Sequence, residues 1–121
     1  MKLVSFETLA RIAEVEYVGF VLQTDQLGVK LRILIKDQSY IDVWISEKMS
    51  GRFGFHWERQ HLDGKIFRYD NFPDTNWRDV SSFPFHFHKE SQENVIDAPF
   101  SKDLEQGFRE FLEFVRDYLG S

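Results

Sequence analysis

The chain has 121 residues and a mass of 14.5 kDa, with 42% hydrophobic and 29% charged residues. That suits one soluble globular domain, residues 1–121, able to bury roughly 65% of its unfolded surface. The lack of cysteine excludes thiol catalysis, disulfide frameworks, cysteine zinc sites and iron–sulfur clusters, and no apolar run approaches the roughly 20 residues of a membrane span.

The start, Met1-Lys2-Leu3-Val4-Ser5-Phe6-Glu7, puts an acid where a secretory leader needs apolar residues, which predicts a cytoplasmic protein. Fifteen basic against 20 acidic residues give a net charge of −5, so a broad nucleic-acid surface is not expected, although a local basic patch is compatible. The 13 Phe, 4 Tyr and 3 Trp exceed what a soluble surface can show, so most belong to the core.

Ser5 to Glu14 places Phe6, Leu9, Ile12 and Ala13 at helical spacing, with Ser5 as N-cap. Val15 to Thr24, Val29 to Lys36 and Tyr40 to Ser46 read as strands separated by Asp25 to Gly28 and by Asp37-Gln38-Ser39. Arg52 to Gln60 and Lys65 to Asn71 form the next pair. From Phe72 to Pro99 prolines and scattered Asp, Asn and Ser predict a long irregular region. A final helix, Ser101 to Leu119, has Ser101 as N-cap, Gly120 as its stop, and Phe108, Phe111 and Val115 on an apolar stripe to dock on the sheet. The predicted fold is α+β: an antiparallel meander of about five strands with a short N-terminal and a long C-terminal helix on one face.

Chemistry concentrates on the fourth and fifth strands. Burial of Phe53, Phe55 and Trp57 turns His56 and Glu58 to the other face, and burial of Phe67 and Tyr69 does the same for Arg68 and Asp70. A three-residue loop, Leu62-Asp63-Gly64, would pair His61 with Lys65, setting Trp57 opposite Tyr69, His56 opposite Asp70 and Glu58 opposite Arg68. One imidazole, two carboxylates and a guanidinium can supply acid, base and anion stabilisation; cross-strand ion pairs on a solvated face are the plainer alternative. In Phe83-Pro84-Phe85-His86-Phe87-His88-Lys89, an extended backbone puts His86 and His88 on one face. Two histidines at that spacing chelate a metal when a third ligand converges, with His56, Asp70 and His61 as candidates.

Phe55-His56-Trp57, Phe67-Arg68-Tyr69-Asp70-Asn71-Phe72-Pro73 and Phe83-Pro84-Phe85-His86-Phe87-His88, in this order, resemble the motifs of the TumE family, toxins of prokaryotic two-gene toxin–antitoxin modules. Many members carry a histidine pair where this chain has Asp74-Thr75-Asn76. The resemblance implies an RNA-directed toxin, an endoribonuclease acting on RNA alone or at the ribosome, neutralised by a helix-turn-helix antitoxin. His56, Arg68, Asp70, His86 and His88 are the candidate catalytic residues, with His56 as base oriented by Asp70, His86 or His88 as acid and Arg68 as phosphate clamp. Trp57, Asn71, Trp77 and Lys89 are the candidate substrate-binding residues. No cofactor and no membrane partner is expected. A non-catalytic protein-binding module and a metal-dependent hydrolase built on His86 and His88 remain alternatives.

Overall fold

Seven antiparallel strands follow one another in simple sequence order in the computed structural model, which describes residues 5–120. They are β1 (Val21–Leu27), β2 (Lys30–Ile35), β3 (Tyr40–Ile45), β4 (Phe53–Arg59), β5 (Lys65–Asp70), β6 (His86–Glu90) and β7 (Val95–Ile96). The α+β class and the meander agree with the sequence reading. The strand number does not, because β6 and β7 lie inside the segment read as irregular. The leader expectation rests partly on Met1 to Val4, outside the described residues. No helix among the described residues is long and apolar enough to cross a membrane.

The first helix, α1 (Phe6–Arg11), starts where the Ser5 hydroxyl accepts the Thr8 N–H at 3.2 Å, and runs on as a π-helical turn, Ile12–Glu16. It buries Leu9, Ile12 and Ala13. The last helix, α3 (Leu104–Tyr118), begins two residues later than its predicted cap: Asp103, not Ser101, accepts the Gln106 N–H. Ser101 is used otherwise, its carbonyl accepting the Tyr69 hydroxyl at 2.8 Å and its N–H reaching Glu110. Those two bonds fix the approach to α3. Its Phe108, Phe111, Leu112 and Val115 are fully buried against the sheet.

The core is therefore a sandwich of helices on one sheet face, where Ile33, Ile41, Val43, Phe55, Trp57, Phe67, Tyr69 and Phe87 meet α1 and α3. Phe55 sits edge-on to Phe108 with ring centres 5.5 Å apart, a favoured aromatic geometry.

Period-two alternation leaves the opposite face polar, but the β4–β5 register differs from the predicted one. Arg59 pairs with Lys65, Trp57 with Phe67 and His56 with Arg68. Gln60 and His61 leave the ladder to form a short helical turn, α2 (Gln60–Asp63), closed by Gly64 at φ +77°, a left-handed conformation that suits glycine. Arg59 bonds Asp63 across this turn at 3.0 Å. The change from the predicted register is an even step, so every side chain keeps its face while its partner changes.

Candidate active site

Each strand from β2 to β6 contributes one residue to a continuous polar row: Arg32, Asp42, His56, Arg68 and His88 are successive cross-strand partners. The neighbouring row carries Trp44, Gly54, Asp70 and His86. Gly54 is required there. A β-carbon on it would lie within 2.7 Å of Trp44 Cε2, since the indole covers that backbone and leans on Phe72 with ring centres 4.6 Å apart.

At the β5–β6 end the two rows meet in a cleft of about 360 Å³, lined by Arg68, Asp70, Phe72, Asp74, Trp77, His86, His88, Gln92 and Glu93. Three of its polar side chains are buried: Asp70, His86 and His88 are 1%, 2% and 5% exposed. Asp70 Oδ1 accepts the Phe72 N–H at 3.0 Å and lies 3.3 Å from His86 Nε2. Its Oδ2 is 2.9 Å from Arg68 Nε, an ion pair by distance whose N–H is not aimed for a hydrogen bond.

Both imidazoles are anchored from behind. His86 Nδ1 lies 3.0 Å from the Pro84 carbonyl and His88 Nδ1 lies 2.9 Å from the Gln92 carbonyl. A carbonyl only accepts, so both Nδ1 atoms carry the proton and donate, leaving Nε2 as the variable position. The rings stand 5.0 Å apart at 76°, and Trp77 presents its edge to His88 at 5.8 Å. Burial holds the His88 pKa below the ordinary histidine value and so favours the neutral ring, against the opposing pull of the Gln92 carbonyl and the Asp70 charge.

The structure thus brings together Arg68, Asp70, His86 and His88, with Trp77 on the wall. His56 lies on the same face but pairs with Arg68, and its Nε2 reaches Glu58 at 3.2 Å, so its carboxylate neighbour is Glu58 and not Asp70. Trp57, expected at the substrate, is fully buried and donates its indole N–H to Ser39 at 2.8 Å. Asn71 is also internal: its amide accepts from Phe53 N–H at 2.9 Å and donates to the Gly51 carbonyl at 2.6 Å. Lys89 follows the alternation of Phe87 and falls on the helix face, opposite Phe67. His61, on α2, contacts the Gln38 carbonyl at 2.7 Å away from the cleft. The sequence reading did not assign Phe72 or Asp74 to the site, although both lie in or beside the second motif. It also missed Gln92 and Glu93, whose loop carries no chemical signature, and Trp44, whose signal was the glycine opposite it.

A family model described as Toxin TumE matches residues 2–119, nearly the whole chain. The chain belongs to the TumE toxin family. No curated protein and no solved structure matches it. Membership of TumE supports a toxin role and, in general terms, an antitoxin partner. The motif residues His56, Arg68, Asp70, His86 and His88 of this TumE chain all lie on the polar sheet face, four of them in the cleft.

Proposed function

We propose that this TumE toxin acts on RNA, cleaving a phosphodiester in the cleft between β5 and β6. The supporting observation is the convergence of Arg68, Asp70, His86 and His88 from two adjacent strands into one partly buried pocket walled by Trp77. Cleavage by the neighbouring 2′-hydroxyl removes its proton, joins its oxygen to phosphorus and breaks the bond to the 5′-oxygen, which takes up a proton. Arg68 meets the charge that builds on the phosphoryl oxygens. Trp77 stacks an unpaired base. The proton transfers are centred on Nε2 of His86 and His88.

His56, supported by Glu58, lies one strand away from Arg68 and is assigned to the phosphate path beside the reacting atoms. The toxin works in the cytoplasm, on RNA alone or at the ribosome, and a helix-turn-helix antitoxin restrains it. Inducible expression in a bacterial host is the test. The parent chain arrests growth and fragments RNA, while folded Arg68→Ala and His88→Ala variants do neither, and His56→Ala is impaired less. Folded cleft variants as inhibitory as the parent would remove this site from the toxic activity.

A further inference from the structure

We propose that Asp70, His86 and His88 hold a divalent transition-metal ion of the zinc class. One ligand atom from each lies within 4.8 Å of the others, and all three side chains are buried. Two imidazole nitrogens and one carboxylate oxygen form a mixed donor set that suits zinc, cobalt or iron better than magnesium or calcium, which favour all-oxygen shells.

Three features distinguish this cluster from a chance gathering of polar groups. First, the histidines are already in the ligand tautomer. Each Nδ1–H is spent on a backbone carbonyl, of Pro84 and of Gln92, which points Nε2 forward as metal-ligating histidines do. Second, His86 Nε2 faces Asp70 Oδ1 at 3.3 Å, a donor pair that an ion between the two atoms would bridge. The separation also matches the edge of a tetrahedron with bonds of about 2.0–2.1 Å. Third, the supporting shell is complete: Arg68 lies against the other Asp70 oxygen, and the Phe72 N–H bonds Oδ1.

The ion also answers an electrostatic difficulty. Asp70, Asp74 and Glu93 line the cleft against a single arginine, Arg68, in a chain of net charge −5. A phosphodiester would be repelled there without added positive charge, and a divalent ion supplies it as a Lewis acid with room for substrate or water. That use rests on the RNA reading and replaces the proton transfers assigned above to the two Nε2 atoms, which the ion would occupy; binding of the ion rests on neither.

The full chain, stripped with chelator and dialysed, is titrated with Zn²⁺ by calorimetry and with Co²⁺ by visible absorption. One equivalent per chain should bind at about 1 µM or tighter, with cobalt bands of a nitrogen–oxygen site and no competition from millimolar Mg²⁺. In histidine-labelled protein, only the Nε2 resonances of two imidazoles should move, with both Nδ1 protons retained. His88→Ala and Asp70→Asn should weaken binding beyond the roughly 10–100-fold cost of losing a supporting partner, whereas exposed His61→Ala should not. Absence of saturable Zn²⁺ binding by the parent, resonance changes at His56 or His61 instead, or retention of affinity in His86→Ala/His88→Ala would overturn the site. The labelled parent decides even where a variant fails to fold. Zinc binding with growth arrest undiminished in folded Asp70→Asn would leave the site and remove the RNA reading. No zinc binding, with arrest lost in folded His88→Ala, would do the reverse.

Discussion

Asn71 shows how a residue inside a family motif can serve the backbone rather than the substrate. Its side chain satisfies the Phe53 N–H and the Gly51 carbonyl just where β4 begins. Asn71→Ala should therefore cost about 1–3 kcal/mol through two polar groups left without a partner. Urea unfolding measures this, and a loss below about 0.5 kcal/mol, the level of a neutral surface change, would contradict it. Gly54→Ala is expected to cost about 1–3 kcal/mol as well, because the added methyl meets the Trp44 indole and forces it off Phe72. A tryptophan fluorescence change should accompany that loss. Residues of this kind were only half legible in the sequence. The family motif singled out Asn71 as a substrate-binding candidate but carried no information on which backbone groups lacked partners. Period-two alternation turns Gly54 to the same face as His56 without revealing that Trp44 fills the space above it.

Elements read from strong local periodicity agree with the structure, and those defined by distant pairing do not. The α3 stripe identified Phe108, Phe111 and Val115, and all three are fully buried. Phe111→Ala should destabilise by about 3–5 kcal/mol, as expected for a large buried ring whose cavity cannot collapse; a loss under about 1 kcal/mol would reject the docking. By contrast, β6 and β7 are five and two residues long, set among Pro84, Pro99 and turn-forming side chains, so local composition favoured an irregular segment. Their strand character comes from the unpaired edge of β5, which no local window contains. The β4–β5 register failed for a related reason. A three-residue loop was the simplest closure, but the short α2 turn gains the Arg59–Asp63 contact and stacks Trp57 on Phe67 with ring centres 5.1 Å apart. The cleft survived that error because the register moved by an even number of residues.

On the scale of the whole molecule, the charged side chains off the helix face make stability dependent on acid. Asp42 accepts from Arg32 at 2.8 and 2.9 Å and from Lys30 at 3.1 Å. Burial pushes its carboxyl up, but these hydrogen bonds and charges outweigh burial and hold it below the ordinary aspartate value of 3.8. The same balance acts at Asp37 through Ser39 and Arg59, and at Asp63 through Arg59 and Lys65. Asp63 lies nearer the solvent, so its contribution is screened. Each lowered group binds a proton more readily in the unfolded chain than in the folded one. Stability is therefore fully present above the unfolded value, near pH 4, and is lost as pH falls through the folded values below it. Asp42 should carry a measurable part of this, being only 14% exposed at its side chain. Asp42→Asn removes the ionisable partner of Arg32 and Lys30, so it should be less stable than the parent at pH 7. As pH falls through the folded value the parent's own carboxyl takes up its proton, and the two proteins should converge. Urea unfolding of both chains between pH 7 and pH 3 measures the gap. A gap that stays constant across that range would show that the Arg32–Asp42–Lys30 group does not hold its carboxylate preferentially in the folded state.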